Sequence, residues 1–392
     1  MADFFNKNEI FAKVLKVYSS GKVFVDFIEG GKLFPLDIKL QSLKQSDVRD
    51  NYKSILNALE ILKKEPLKLI YRDFDFKNIG SQRLPVSIHF ESREKLLRYI
   101  SKYDEFEDFR ASYKIIINRY AILKDLTVKK PFLVLKYIDS WSKLLSICEY
   151  FIAHPKPEIY IRELSIKEID TKFIEKHKKI LDTLFMLLLQ KENIRDDVST
   201  FSNYGFEKKY YLKYPLPMLR FRILDDSQKI SGLSDISVNI EEFKALNLKC
   251  KKVFVVENKI TTLSFPELQD AIVIFGSGYG IEILKDVKWL NNRQLFYWGD
   301  IDSDGFAILS QFRGYFPDVK SIFMDEDSVK LFSDFSTKET LTCKKELHNL
   351  TYDEKALFDK LQNSYYGENF RLEQEKIAFD YVKEKLIYDN TF

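Results

Sequence analysis

The stretch "LFYWGDIDSDG" (residues 295–305) runs an apolar segment directly into three aspartates, Asp300, Asp302 and Asp304, and a glycine, Gly305. Carboxylates this close oppose one another's ionisation unless a cation or solvent compensates them. Asp300 and Asp302 are two residues apart, so on extended chain their side chains face the same way. The apolar run reads as a strand, and "DGFAILSQFRGYF" (304–316) after it as a helix. Working outward, "KKVFVVEN" (251–258) is a buried strand ending in Glu257, and "DAIVIFGSGYG" (270–280) is a strand running into a glycine turn. "IEILKDVKWL" (281–290) reads as a helix, and "VKSIFMDED" (319–327) as a fourth strand whose end carries Asp325. Strands alternating with helices give a parallel α/β sheet. In such sheets functional groups collect at the carboxyl ends of the strands, which is where Glu257, Asp300, Asp302 and Asp325 fall.

Three readings compete for "DIDSDG". A solvated Asp–Gly loop is the plainest, since turns favour both residues. A calcium-binding EF-hand loop fits Asp300, Asp302, Asp304 and Gly305, but its twelfth position is Gln311 rather than a bidentate Glu, and a strand precedes it where a helix is required. A Mg²⁺ site needs few carboxylates, several waters and substrate phosphates. A lone DxD is weak evidence; a strand-end Glu followed by a strand-end DxDxxG in one α/β unit is far more specific. A dinucleotide fold is the oxidoreductase alternative. Gly276 and Gly278 fit G-x-G-x-x-G, but the third position is Ile281 and Gly280 comes one residue early. That reading also leaves Glu257 and Asp302 without a role.

The whole chain has 392 residues, 45% of them apolar and 31% charged, with a formal net charge of +3. Length and composition suggest two or three globular domains, and no basic tail announces nucleic acid. The three cysteines, Cys148, Cys250 and Cys343, lie far apart and suggest neither a disulfide framework nor a zinc site. The four histidines show no ligand spacing. With no signal-peptide core at the start and no apolar run long enough to span a bilayer, a cytoplasmic protein without membrane contact is expected.

Residues 1–154 read as an N-terminal, mixed but mostly helical arm. "GKVFVDFIEGGKLFPLDIKL" (21–40) has strand-like runs and turns, "DNYKSILNALEILKK" (50–64) has helical spacing, and amphipathic helices follow to "HPKPE" (154–158), whose prolines mark a boundary. Residues 155–231 form a smaller unit: "EIYIREL" (158–164) is strand-like, "DTKFIEKHKKILDTLFMLLLQK" (170–191) is a helix with Asp170 or Thr171 as N-cap, and "KYYLKYPLPMLRFRILD" (209–225) is extended. This order suits a winged-helix-like module. Residues 232–392 form the α/β unit, which "RLEQEKIAFDYVKEKL" (371–386) closes as a charged amphipathic helix.

The strand-end Glu, glycine turn and DxDxxG, in that order, resemble a Toprim domain. "VFVVENKITTLSFP" (253–266), "LFYWGDIDSDGFAIL" (295–309), "IFMDEDSV" (322–329) and "RLEQEKIAFDYV" (371–382), with "NIGSQRLPVSIHFES" (78–92) and "IYIRELSIKEIDTKFIEKHKKIL" (159–181), resemble the JetD family, nuclease subunits of Wadjet anti-plasmid systems. The resemblance covers nearly the whole chain. It implies α/β plus α+β architecture: an N-terminal helical arm, a central winged-helix (CAP-like) domain and a C-terminal Toprim domain related to the type IIB topoisomerase A subunit. It implies a homodimer that cuts double-stranded plasmid DNA with an SMC-type ATPase, a kleisin and a small winged-helix subunit. Carried onto this chain, the catalytic metal ligands are Glu257, Asp300 and Asp302, with Asp304 and Asp325 as further candidates, for Mg²⁺ or Mn²⁺. The topoisomerase relatives carry a nucleophilic Tyr on the winged helix, whereas Thr171, Lys172 and Glu175 stand here. Glu175 and Lys172 are therefore candidate catalytic residues, and Lys172, His177, Arg220 and Arg222 candidate phosphate contacts. The rival readings are a topoisomerase-like transesterase and a non-catalytic DNA-binding adaptor.

Overall fold

The computed structural model describes residues 4–76, 80–276, 280–338 and 346–388. Its contacts divide the chain into two units, residues 1–214 and 215–392. Gly278 of the glycine-turn motif, and Cys343, lie outside the described residues.

The N-terminal unit is mostly helical. Among the described residues its sheet has the order β1 (Leu36–Lys39), β3 (Gly80–Phe90), β2 (Lys68–Phe76), all antiparallel. "KVFVDFIE", expected as strand, is the helix Lys22–Glu29, entered and left through glycines in left-handed conformation at Gly21 and Gly30. Its apolar residues Val23, Phe24 and Ile28 recur at helical spacing and are buried. Phe24 packs on Phe109 with ring centroids 4.5 Å apart. "DNYKSILNALEILKK" lies in a helix, Gln45–Lys63.

The long basic helix is Thr171–Leu188, and Asp170 caps it by accepting from Phe173 N at 2.7 Å. Its buried face is Ile174, His177, Ile180, Leu181, Leu184 and Phe185, with Phe185 4.6 Å from Phe151 of the helix Trp141–Ala153. "EIYIREL" is not a strand: Ile161–Glu163 is a 3-10 turn, because the Glu163 carboxylate reaches back to Tyr160 N at 2.7 Å and closes a capping box.

The C-terminal unit is a mixed α/β structure around a six-stranded sheet, in the order β5 (Asp235–Asn239), β4 (Met218–Ile223), β7 (Ala271–Phe275), β6 (Lys252–Val256), β8 (Gln294–Trp298), β9 (Lys320–Ser321). The β7–β6–β8–β9 half is parallel, and β4 runs antiparallel to both neighbours. The central strands are apolar almost throughout, as strands covered on both faces must be. Residues 218–223, read above as extended chain of the middle module, are thus a strand of this sheet, and the contact boundary falls at Tyr214/Pro215. A short hairpin-like pair, β10 (Thr337–Lys338) and β11 (Phe370–Arg371), stands apart from the main sheet.

Two expected elements shrink. "VKSIFMDED" keeps only two strand residues, Lys320 and Ser321, and Phe323 soon after takes a positive φ of 55°. In "RLEQEKIAFDYVKEKL" the helix starts at Phe379; the residues before it are β11 and a 3-10 turn, Gln374–Lys376. Their polar groups are taken up by the end of β8, where Arg371 and Gln374 meet Asp300 and Trp298.

Candidate metal centre at the ends of β6 and β8

Parallel register brings the acids together. Val256 at the end of β6 stands opposite Trp298 at the end of β8, so the two strands finish level. Glu257 then leaves β6 beside Gly299, with its N–H donating to Trp298 O at 3.3 Å. Asp300 and Asp302 follow at once on the neighbouring strand. The two glycines of "GDIDSDG" are steric necessities. A Cβ on Gly299 would lie 2.5 Å from Tyr297 Oη and 3.0 Å from Glu257 Oε1, and one on Gly305 would lie 2.1 Å from Asp300 O.

Each acid has defined partners. Glu257 Oε1 accepts a short hydrogen bond from the buried hydroxyl of Tyr297. Burial, more than anything else, pushes the Glu257 carboxyl up to about 7. The Tyr297 hydrogen bond opposes that rise, the Asp300 and Asp302 charges add to it, and Arg371 opposes it. Asp300 Oδ1 accepts from Gln374 N at 2.9 Å and Oδ2 from Arg371 Nη2 at 2.7 Å. Asp302, only 4% exposed, caps the helix Ser303–Tyr315 through Oδ1 to Gly305 N at 2.7 Å. Its Oδ2 lies 3.4 Å from Arg371 Nε.

The strand before "DIDSDG" and the Asp302 cap after it disfavour the EF-hand reading, which requires a helix on the entering side. Asp304 lies exposed in the first turn of Ser303–Tyr315. Asp325, also exposed, caps the next helix, Glu326–Phe332, by accepting from Ser328 N at 2.8 Å. The structure gives both a helix-end role.

The sequence reading missed Arg371, Gln374 and Tyr297. The segment from Arg371 to Gln374 crosses the end of β8, where Leu372 pairs with Ile301 through bonds of 2.9 and 3.1 Å. Gln374 is 1% exposed; its side chain accepts from Asn258 N at 3.2 Å and donates to Trp298 O, tying the ends of β6 and β8 together. The signal was present in "RLEQEK": an arginine and a glutamine amid acids. Its charge alternation reads as a solvated helix face, which hid it.

The remaining candidates are dispersed. Lys172 and Glu175 are exposed on the helix Thr171–Leu188 of the N-terminal unit. His177 is buried on that helix, between Phe173 and Tyr137 rings, with Nδ1 2.6 Å from Phe173 O. Its ring therefore belongs to the packing of the helix, not to its exposed face. Arg220 forms a two-pronged pair with Asp235 across β4 and β5, its Nε donating at 2.8 Å. Arg222 donates to the carbonyls of Leu263, at 3.0 Å, and Phe265. Both arginines thus have partners within the C-terminal unit.

Among the described residues no helix is long and apolar enough to cross a membrane. Two family models match the chain. The C-terminal part of the Wadjet protein JetD matches residues 212–386, and the N-terminal part of an uncharacterized protein conserved in bacteria matches residues 7–186. The second match ends within the helix Thr171–Leu188 and the first begins near the boundary between the two units. No curated protein matches the chain.

Proposed function

Because the chain belongs to the JetD family of Wadjet proteins, we propose that it is the nuclease subunit of a Wadjet defence system, a Mg²⁺-dependent endonuclease acting on double-stranded plasmid DNA. On this reading the C-terminal α/β unit is a Toprim domain, and its partners are an SMC-type ATPase, a kleisin, a small winged-helix subunit and a second copy of the chain. One observation carries the proposal: three carboxylates converge at the carboxyl ends of adjacent parallel strands, with a single arginine between two of them. A structural role would not need that excess of negative charge.

The donor set suits a hard divalent cation. Glu257, Asp300 and Asp302 offer only oxygen, and Arg371 already brings positive charge to the same spot. Among the described residues no group of three or more Asp, Glu, His and Cys side chains stands as a ready-made metal-binding set. Mg²⁺ requires none, since it keeps several waters and shares substrate phosphates. Bound there, Mg²⁺ or Mn²⁺ would stabilise charge on the phosphate oxygens of the scissile bond.

The protein's own groups supply the rest. Tyr297 holds the Glu257 carboxyl in one orientation. A carboxyl raised toward neutrality can take a proton from water or return one to a leaving oxygen. Lys172 and Glu175, on an exposed basic helix face, are candidates to meet the DNA backbone.

Plasmid cleavage by purified protein, with and without its SMC partners, in Mg²⁺, Mn²⁺ and chelator, tests the proposal. Metal-dependent linearisation that grows with the partners is expected. Denaturing the reaction midway should release DNA ends free of protein. A protein-linked end that maps to a tyrosine would turn the reading into the transesterase one, and binding without cutting in either metal would turn it into the adaptor one.

A further inference from the structure

We propose that Arg371 is the resident counter-cation of the acid cluster, and that a divalent ion gains Asp300 and Asp302 by displacing its guanidinium. The inference rests on the metal-site reading above and deepens it.

Arg371 Nη2 holds Asp300 Oδ2 at 2.7 Å, Nε lies 3.4 Å from Asp302 Oδ2, and Nη2 is 3.5 Å from Glu373 Oε1. The guanidinium therefore faces both aspartates through the oxygens that point away from their backbone partners, since Asp300 Oδ1 accepts from Gln374 N and Asp302 Oδ1 from Gly305 N. Those outward oxygens are the ones a cation would take. Arginine cannot neutralise itself by losing a proton, so it leaves only by moving, and only for a competing charge.

The contact is built to be released. Arg371 Nε is buried yet has no hydrogen-bond partner, only the longer ion pair. Arg313 in the same unit shows what a permanent strut looks like. Its Nε and Nη2 donate to Val319 O at 3.0 and 2.9 Å, Nη1 to Asn349 O at 2.7 Å, and Nη1 and Nη2 to Glu354 at 2.6 and 2.9 Å. The Arg313 side chain is 10% exposed, whereas that of Arg371 is 35% exposed.

The backbone around Arg371 is held without its side chain. Leu372 pairs with Ile301, Thr337 and Lys338 pair with Arg371 and Phe370, and Gln374 is fixed by Asp300, Asn258 and Trp298. Movement of the guanidinium is therefore a side-chain event that leaves the segment in position. Two aspartates balanced by one guanidinium become two aspartates balanced by one divalent ion, and the released arginine is left beside the site with Glu373 as its remaining carboxylate neighbour.

Direct Mn²⁺ titration of the full chain, followed by electron paramagnetic resonance, tests this without any DNA. Removing a competitor should tighten binding, so Arg371→Ala and Arg371→Gln are expected to bind Mn²⁺ about tenfold more tightly than wild type, within the usual range of coupling between two ligands. Their metal-free thermal midpoints should fall, and the rise in midpoint on adding Mn²⁺ should exceed that of wild type. Arg371→Lys keeps the charge and should stay near wild type. Equal or weaker Mn²⁺ binding by folded Arg371→Gln overturns the inference while leaving the metal site standing. No Mn²⁺ binding by wild type, or binding that survives Asp300→Ala, overturns the metal-site reading itself.

Discussion

Buried acids in the N-terminal unit and those at the strand ends of the C-terminal unit are treated in opposite ways. Asp26 is 8% exposed, yet its oxygens accept from Lys32 N, Leu33 N and Arg93 Nη2, each at 2.6 Å. Burial works to raise its carboxyl, but those partners outweigh it and hold Asp26 below its ordinary value. Glu207 meets Lys178 at 2.6 Å, and Asp182 meets Lys209 and Tyr210 at 2.8 and 2.6 Å. Each charge there has its own opposite. Glu257, Asp300 and Asp302 share one arginine, and the Glu257 carboxyl goes up rather than down. Glu354, in the same unit as that cluster, follows the first pattern, with burial outweighed by Arg313, Ser321 and the Thr351 N–H. The difference is therefore not one of depth or of fold class. Acids with a cation each serve the fold, and acids crowded around one shared arginine mark a place that suits a further cation.

The sharpest way to break this contrast is to remove the clustered acids. Asp300→Ala and Glu257→Ala should lower metal-dependent cleavage on the order of a hundredfold or more, the loss that follows removal of a strong charge-stabilising group. Circular dichroism should show both variants folded, since each removes like-charge repulsion. Wild-type cutting by either would return the cluster to a structural role.

Next in size is the opposite experiment. Arg313→Ala strands Glu354 in a site where the pair is 10% and 7% exposed. Urea denaturation should show a loss of about 3–5 kcal/mol, typical of breaking a buried pair on one side. Mn²⁺ affinity of the folded fraction should not change. A small loss of stability would mean that Glu354 is as tolerant of imbalance as Glu257.

The carboxyl of Glu257 carries a pH signature of its own. Its folded value, about 7, lies above its ordinary 4.5, so between those values the folded chain holds more protons than the unfolded one. Stability must then fall as pH climbs through that window and level off above it, by on the order of 3 kcal/mol for the full shift. In metal-free buffer, the difference in unfolding free energy between wild type and Glu257→Gln should move against wild type from pH 5 to pH 8. Asp26, held low, contributes the reverse: its stabilisation is present above its ordinary value and is lost as pH falls below it. A difference between the two proteins that does not vary with pH would remove the electrostatic basis of the contrast.

How much of this could be read from the chain depends on where the information is stored. The acids and Gly305 were legible because strand periodicity and the constraint that Asp300 O places on Gly305 are local. The helix Thr171–Leu188 was legible because Asp170 and the apolar stripe are local too. Arg371 and Gln374 were not, since they act across 71 and 74 positions of sequence on Asp300, and nothing within their own segment reveals that. The same holds for β4: its arginines meet Asp235 on β5 and the carbonyls of Leu263 and Phe265, partners that nothing in their own segment reveals. The helix Lys22–Glu29 failed for a different reason, because a short apolar run of β-branched and aromatic residues fits either period until its glycine ends are placed.

The smallest effect tests the N-terminal half of the comparison. Glu175 is exposed on the Thr171–Leu188 helix, opposite the stripe that packs inward. Pairing with Lys172 or Lys179 along the helix would be worth about 0.2–0.5 kcal/mol, so Glu175→Ala should shift stability by no more than roughly 0.5 kcal/mol. Its effect on cleavage separates two roles. If Glu175 orients water or holds charge at the DNA, Glu175→Ala and Glu175→Gln should slow cutting alike, by about threefold to tenfold, because the amide keeps the length and loses the charge. Lys172→Ala, on the same exposed face, should then weaken DNA association more as salt is lowered than as it is raised, since a phosphate contact is lost against a smaller counterion background. Normal cutting by both Glu175 variants would leave that face as solvated surface.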